Sequence, residues 1–356
     1  MGVLVFIIIL AVLVLVHEFG HFIAAKKNGV LVEEFGFGFP PRLFGKKIGE
    51  TLYSINLLPI GGFVKLYGEE YHEEKGETDS LRSRAFVYKK PWQKTVIIVA
   101  GIVGNFLLAW VLISYLFTQG VPTPTNNVSV ESVQKGSPAY VAGVRATDEI
   151  KSIQTPIKTY PITASDQIIA LSHKLGGQQI TLRLLRRGTE RNIVVTPRKN
   201  PPAGQGPLGI VVTTFVVKKY PWYQAPFYGL AHSFDISFKI ISELSKTVVQ
   251  LVSFKKPNVD VAGPIGIAQF TGQAIKFGNN AVLELMALLS LNLAVINILP
   301  FPALDGGRLV FVLYEWVSKK RVNKAVERYV NLFGIIILLS LAFVISVHDV
   351  IKLVAK

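Results

Sequence analysis

The stretch V-L-V-H-E-F-G-H-F-I, residues 14 to 23, places three ionisable side chains at the end of a long apolar run. Residues 3 to 16 carry no polar side chain, and His17, Glu18 and His21 then follow. An ionised group at the centre of a membrane-spanning helix costs about 2.5–3.5 kcal/mol on insertion scales. Ionisable groups at that depth are therefore candidates for a functional site.

The composition of the chain is too apolar for an ordinary soluble protein of this length. Of the 356 residues, 50% are hydrophobic and 17% are charged, and the mean hydropathy is +0.41. The absence of cysteine excludes a disulfide framework and a thiolate metal site. The net charge of +15 fits basic cytoplasmic loops that face anionic lipid. No basic run interleaved with aromatic residues indicates a nucleic-acid groove, so we expect a lipid bilayer and no nucleic acid as partners.

Four apolar segments approach or exceed the length that crosses the hydrocarbon core of a bilayer, about 20 residues. They cover about residues 2–25, 95–117, 285–304 and 330–347. The first lacks a basic stretch before its apolar run and is followed by Lys26 and Lys27, which indicates a retained helix and not a secretory signal. We therefore predict a polytopic α-helical membrane protein with about four transmembrane helices.

Lysine and arginine accumulate in two of the connecting segments. One is the loop between the first and second spans, and the other covers residues 308–328. Basic loops stay on the cytoplasmic side of a membrane. The first and third spans then run from outside to inside, and both chain ends and the segment between the second and third spans lie outside.

Residues 121–200 are predicted to form a small soluble domain outside the membrane. Ser137 and Pro138 fit the start of a helix and Gly143 fits its end. The string G-S-P-A-Y-V-A-G-V-R-A-T-D-E-I, residues 136–150, resembles bacterial PDZ domains. PDZ domains are α/β domains that bind an extended peptide or chain end by adding a strand to a sheet edge. A generic small α/β domain is the alternative. A further helix is predicted at 164–174, and strands at 128–133, 179–186 and 191–196.

Residues 48–68 are too short for a spanning helix and too apolar for a free cytoplasmic loop. Pro59, Gly61 and Gly62 interrupt the run in its middle. Two short strands around this break predict a membrane-dipping β-hairpin beside the polar site, because open backbone at membrane depth is tolerated only against protein or a wet cavity. An interfacial loop that only packs is the alternative.

Residues 201–280 are predicted to contain a linker and a membrane-surface helix. The helix would cover residues 225–254, which are moderately apolar and carry His232 and Asp235. We expect it at the outer surface of the membrane. The remaining divisions are residues 1–120 and 281–356, the N-terminal and C-terminal membrane parts.

The H-E-x-x-H string predicts one half of a catalytic zinc site. Residues four apart lie on one face of a helix, so His17 and His21 can hold one zinc ion. Glu18 would then stand beside the metal's water and act as the catalytic base. Catalytic zinc sites typically have three protein ligands.

Asp305, in N-I-L-P-F-P-A-L-D-G-G-R, is the best candidate for the third ligand. It lies at the same cytoplasmic end as His21, after Pro300 and Pro302 break the third span. Gly306 and the glycine after it let the backbone turn closely there. The alternative is that Asp305 only caps the helix that follows.

Three asparagines lie in the apolar segments. Asn292 and Asn297 of the third span could hold a substrate backbone or stabilise an oxyanion. Hydrogen bonding between helices is an equally good reading of these amides. Asn105 follows two glycines in the second span, and we interpret it as a packing residue.

Together these residues resemble the site-2 protease family of intramembrane zinc metalloproteases, most closely the bacterial regulator-of-sigma-factor type with a PDZ insertion. The strings that carry the resemblance, in family order, are H-E-F-G-H (17–21), G-x-x-x-x-S-I-N-L-L-P-I-G-G-F-V-K (49–65), the PDZ string and S-L-N-L-A-V-I-N-I-L-P-F-P-A-L-D-G-G (290–307).

The resemblance implies a role for each matching residue. His17, His21 and Asp305 would bind zinc, Glu18 would be the base, and Asn292 and Asn297 would contact substrate.

The resemblance also implies a location and a substrate class. The location is the bacterial cell membrane, with the active site towards the cytoplasm and the PDZ domain outside. The substrates are pre-trimmed single-pass membrane proteins, such as an anti-sigma factor or signal-peptide remnants. The alternative function is a membrane-bound PDZ scaffold that has lost catalysis.

Overall fold

The computed structural model describes residues 1–69, 79–253 and 262–354. The helices are α1 (Gly2–Lys27), α2 (Asp79–Arg82), α3 (Pro91–Gln119), α4 (Pro138–Val141), α5 (Ser165–Lys174), α6 (Ala225–Val252), α7 (Pro264–Phe277), α8 (Asn279–Ile298), α9 (Asp305–Ser318) and α10 (Lys324–Val354). The strands are β1 (Val32–Ile48), β2 (Thr51–Leu66), β3 (Val121–Val133), β4 (Glu149–Gln154), β5 (Thr159–Pro161), β6 (Ile180–Arg186), β7 (Thr189–Val195) and β8 (Ile210–Lys218). The chain divides into two compact units, Met1–Leu116 with Trp222–Lys356 and Phe117–Pro221.

Four of the described helices are long and apolar enough to cross a membrane: α1, α3, α8 and residues Ala325–Lys352 of α10. Each coincides with a predicted span. The third span lies earlier in the chain than predicted, because α8 covers Asn279–Ile298 and not residues 285–304. Leu299 is extended (φ −62°, ψ 142°), as expected for a residue before proline. The chain therefore leaves the helix before it reaches Asp305.

Glycines let α1 and α3 pack at close range. A Cβ added at Gly20 would overlap the carbonyl of Ala100, and one at Gly104 would lie 2.9 Å from the carbonyl oxygen of Val16. Small residues allow this approach between helices in lipid, where van der Waals packing holds helices together. Gly20 lies against Ala100, whereas Val16, one turn earlier in α1, lies against Gly104, one turn later in α3. The two helices are therefore antiparallel.

Strands β1 and β2 form a sheet of four segments. Phe35 pairs with both Val64 and Tyr53, and residues 51–56 pair a second time with residues 42–48. The order across the sheet is therefore 62–66, 32–37, 51–56 and 42–48. Among the described strands, segment 62–66 pairs on one side only and is an edge.

The predicted hairpin within residues 48–68 was wrong in its pairing. The segments on either side of Pro59 do not pair with each other, because residues 32–37 lie between them. β1 was missed because Gly36, Gly38 and the Pro40-Pro41 pair are typical of a loop. Whether this sheet dips into the membrane stays a prediction.

The second unit is an antiparallel sheet with strand order β7-β6-β4-β3-β8, and β5 pairs with β4. The strands and helices predicted within residues 121–200 are present there. The Ser137 hydroxyl accepts a hydrogen bond from the Tyr140 N–H (3.2 Å), which caps α4 as its sequence predicts. The predicted boundary at residue 200 was too early, because β8 pairs along β3 and completes the sheet.

Helix α6 packs beside α3 in the first unit. The Trp110 indole donates to the carbonyl of Pro226 (2.8 Å), and the rings of Phe106 and Phe234 lie 4.9 Å apart. Both α3 residues belong to the middle of a candidate span. The bounds of α6 match the predicted surface helix, and its depth in the bilayer stays a prediction.

Helix α7 lies in a stretch for which only a linker was predicted. Its first turn is capped from the far end of the chain, since the backbone N–H of Gly266 donates to Oδ2 of Asp349 in α10 (2.8 Å). Asp349 is only 7% exposed. This long-range cap has no local sequence signal.

Candidate metal centre

The two histidines of α1 converge one helical turn apart. Their Nε2 atoms are 3.1 Å from each other, and the two rings meet edge to face at a centroid distance of 4.7 Å. The carbonyl oxygen of Ile97 lies 2.8 Å from Nδ1 of His21. A proton on that nitrogen leaves Nε2 bare, which is the form that binds a metal.

Asp305 reaches the histidines through a tight turn between α8 and α9. Its Oδ2 lies 3.0 Å from Nε2 of His17 and 3.2 Å from Nε2 of His21. A Cβ at Gly306 would overlap the carbonyls of Ile298 and Leu299, so only glycine fits there. The close turn expected from the double glycine is present, and it carries the carboxylate to α1.

The three ligand atoms suit a zinc ion. They lie 3.0–3.2 Å from one another. Tetrahedral zinc with Zn–N distances of about 2.0–2.1 Å holds its ligand atoms roughly 3.3 Å apart. Oδ2 of Asp305 is buried and, within the described residues, makes no hydrogen bond of acceptable geometry. A bound cation would satisfy that oxygen.

The structure separates the two asparagines of α8. The amide nitrogen of Asn297 lies 3.5 Å from Nε2 of His17, next to the metal centre. The amide of Asn292 donates to the carbonyl of Leu288 in its own helix (3.0 Å). Residues five apart do not share a helix face, and the structure therefore brings only Asn297 to the histidines.

Glu18 lines a cavity of about 240 Å³ together with the three candidate ligands. Phe63, Val64 and Leu66 of the sheet edge line the same cavity. A Cβ at Gly62 would lie 3.4 Å from Cγ of Glu18, so the edge segment runs directly past this side chain. The cavity thus brings together the Glu18 carboxylate, the three candidate ligands and an edge segment of the sheet.

An ion pair that the sequence did not predict also lines this cavity. Nη1 of Arg308 lies 2.6 Å from Oε1 of Glu69. The Glu69 carboxylate raises the pKa of Arg308. The pair connects α9, three residues beyond Asp305, to the turn that follows β2. Arg308 directly follows the L-D-G-G string, and this position could have indicated from the sequence that it lies near the site. No sequence signal indicates Glu69.

The family's sequence profile for peptidase family M50 matches residues 5–341. The chain belongs to peptidase family M50. M50 is the site-2 protease family, whose members are zinc metalloproteases, so zinc as the cofactor is confirmed. Four apolar helices agree with a membrane protein.

Full-length relatives of M50 type cover almost the whole chain. A protein of Clostridium perfringens that is named as a zinc metalloprotease is 35% identical over 95% of both chains. A similarly named protein of Clostridium acetobutylicum is 32% identical over 98% of this chain and 97% of its own. The regulator of sigma-W protease RasP of Bacillus subtilis is 28% identical over 99% of this chain and 98% of its own.

Proposed function

We propose that this M50 protease is an intramembrane zinc endopeptidase that cuts pre-trimmed single-pass membrane proteins within or near their spanning segment. The observation that carries the proposal is the convergence of His17 and His21, in the apolar helix α1, with Asp305, which follows the apolar helix α8. A peptide bond inside lipid can be hydrolysed only where protein supplies both polar groups and water.

Each residue of the site has a distinct role in this proposal. His17, His21 and Asp305 hold the zinc ion, which supplies Lewis-acid activation of water and carbonyl groups when bound. Glu18 lines the cavity as a general base that accepts the proton of the attacking water and returns it to the leaving nitrogen. Asn297 is placed to donate to a substrate carbonyl beside His17. Asn292 would contact the substrate farther along α8.

The substrate enters as an extended strand. Helical peptide bonds are already hydrogen-bonded, so cleavage requires local unwinding, which exposes backbone groups that are costly in lipid. Segment 62–66 is the edge of its sheet, and the side chains of Phe63, Val64 and Leu66 line the cavity. Pairing with this edge replaces the lost helical hydrogen bonds and presents the peptide to the metal centre.

The second unit is proposed to be a PDZ domain outside the membrane. A groove of about 290 Å³ lies between α5 and the free edge of β8, lined by Ile168, Leu208, Ile210 and Val212 among others. An apolar groove beside an open strand edge fits an extended peptide or chain end. Such a domain would admit trimmed proteins and exclude bulky ectodomains.

The cellular setting follows from charge and from one relative. The basic loops favour a metal centre towards the cytoplasm of a bacterial cell, in its inner or plasma membrane. The name of RasP ties that protein to sigma-W regulation. We therefore propose regulated intramembrane proteolysis of an anti-sigma factor, or removal of signal-peptide remnants, as the task of this chain.

Replacing the base tests the proposal. Glu18→Gln should lower the rate of cleavage of a model single-pass substrate by about 10²–10⁴-fold, the usual contribution of general base catalysis. Zinc content should be unchanged, because Glu18 is not a ligand. Glu243→Gln, on the exposed face of α6, is the matched control and should cut at the parental rate. Equal cleavage by Glu18→Gln and the parent would refute the protease, and peptide binding without any cleavage would favour a scaffold.

A further inference from the structure

Besides Oδ2 of Asp305, two buried polar groups near the metal centre have no partner among the described residues. One is Nδ1 of His17, the ring nitrogen that does not face Asp305. The other is the side-chain amide of Asn105, whose nitrogen and oxygen are both unpaired although the residue is fully buried in α3. A buried amide or ring N–H that has lost its water and gained no partner destabilises the folded protein. The ring nitrogen of His17 can donate a hydrogen bond, and the amide oxygen of Asn105 can accept one. Each group can therefore serve as the partner that the other lacks.

The packing of α1 against α3 puts these groups at the same level. A Cβ at Gly101 would overlap the ring of His21. Asn105 is one turn beyond Gly101 on the same face of α3, and His17 is one turn before His21 on the same face of α1. Because the helices are antiparallel, the step from Gly101 to Asn105 and the step from His21 to His17 run in the same direction. Asn105 and His17 therefore lie at the same level.

Contacts with α8 do not use the Asn105 side chain. The Ser290 hydroxyl donates to the backbone carbonyl oxygen of Asn105 (2.7 Å) and leaves the amide unpaired. This bond uses the backbone of α3, so it does not require an asparagine side chain at this position. The earlier interpretation of Asn105 as a packing residue does not explain why a buried amide stands here.

We propose that Asn105 is a positioning residue for the zinc ligand His17. Its Oδ1 accepts a hydrogen bond from the Nδ1–H of His17 through one buried water. This keeps the proton on Nδ1, leaves Nε2 free for the metal and fixes the ring. Ile97 plays the same part for His21 through its carbonyl oxygen. Metal-ligating histidines almost always have such a partner on their second nitrogen.

The proposal rests on the proposed zinc site and is tested by zinc affinity in the purified full chain. Competition with a chelator should show about 10- to 100-fold weaker zinc binding for Asn105→Leu, the usual effect of removing an outer partner. Asn105→Asp keeps an acceptor oxygen and should stay close to the wild-type affinity. Ser290→Ala removes the neighbouring α3–α8 hydrogen bond and serves as the matched control with unchanged affinity.

The outcomes separate this inference from the proposed function. A wild-type chain that binds no zinc overturns both. If the wild type binds zinc and Asn105→Leu binds it equally well, or Ser290→Ala weakens it as much, only the role of Asn105 is refuted.

A spectroscopic measurement covers the case in which Asn105→Leu does not fold. In the zinc-loaded wild type labelled with 15N-histidine, His17 should show a protonated, slowly exchanging Nδ1. This signal should shift in Asn105→Asp. An unprotonated Nδ1, or a signal that Asn105→Asp leaves unmoved, would refute the contact.

Discussion

At the scale of single residues, each candidate ligand is oriented by a different neighbour. His21 is fixed by a backbone carbonyl, and Asp305 is carried by a turn that only Gly306 permits. In our proposal, Asn105 orients His17 by accepting a hydrogen bond from its ring through one buried water. Orientation therefore comes from groups outside the H-E-x-x-H string, and substitutions there should act through geometry.

The ion pair between Arg308 and Glu69 gives a prediction at this scale. Arg308→Glu or Glu69→Arg alone should lower kcat/KM, because two like charges then face each other at the cavity. The double swap should recover most of the loss. The Arg308 side chain is 48% exposed, so solvent screens the pair and limits its contribution to about 0.2–1 kcal/mol. We therefore expect kcat/KM to change by at most about fivefold.

The measurement is a double-mutant cycle on cleavage rate, with zinc content determined for each protein. The swap of Asp235 with Lys239, an exposed pair on α6, is the control and should leave the rate unchanged. A double swap that is no better than either single variant would show that the pair does not position the site.

At the scale of elements, close helix packing and long-range caps hold the site together. Glycines bring α1 against α3, and the buried ion pair of Lys94 with Glu315 (2.8 Å) ties α3 to α9. The edge segment of the sheet then passes beside Glu18. The metal centre is thus assembled from four elements that are distant in sequence.

Gly101→Ala should damage the metal centre through packing. The added Cβ would overlap the ring of His21, and overpacking of this kind costs about 1–3 kcal/mol. We expect a lower melting temperature together with weaker zinc binding. Gly272→Ala, in α7, is the matched control, because a Cβ there meets nothing within 4 Å. Its stability should be unchanged or higher by up to about 1 kcal/mol. Intact zinc binding in Gly101→Ala would contradict the described packing.

Asp349→Ala should loosen the start of α7. Loss of a capping carboxylate typically costs about 0.5–2 kcal/mol, and Gly263 and Gly266 pack closely around this side chain. Thermal unfolding of the purified protein measures the loss. Asp235→Ala removes an exposed pair on α6 and should leave the melting temperature close to that of the parent protein. Equal melting temperatures for both variants would show that the cap is unimportant.

At the scale of the whole molecule, the second unit is inserted with its two ends side by side. Val121 pairs with Lys218, and the Tyr220 N–H donates to the carbonyl of Phe117 (3.0 Å). The two ends of the inserted unit are therefore adjacent to each other. Arg186, at the end of β6, donates two hydrogen bonds of 2.6 Å to the carboxylate of Asp148, just before β4. This bidentate contact stabilises the pairing of the two strands inside the unit.

Replacing residues 121–218 with a short Gly/Ser linker should relax substrate choice. The linker can be short because the ends of the insertion are adjacent. We expect untrimmed and trimmed versions of one single-pass substrate to be cut at similar rates, whereas the full chain prefers the trimmed one. Zinc content reports whether the remaining unit is folded. Unchanged preference in a zinc-loaded deletion would refute the gating role.

The sequence by itself determined the four spanning helices, the H-E-x-x-H half-site and the choice of Asp305, because hydrophobic length and ligand spacing are local signals. It also predicted most of the second unit. The tertiary structure alone decided the four-segment sheet, the contact of Arg308 with Glu69 and the cap of α7. These depend on partners far apart in sequence, and no periodicity records them. Asn105 is the clearest case, since its sequence context indicates packing, and the unpaired buried amide on which our proposal rests is visible only in the tertiary structure.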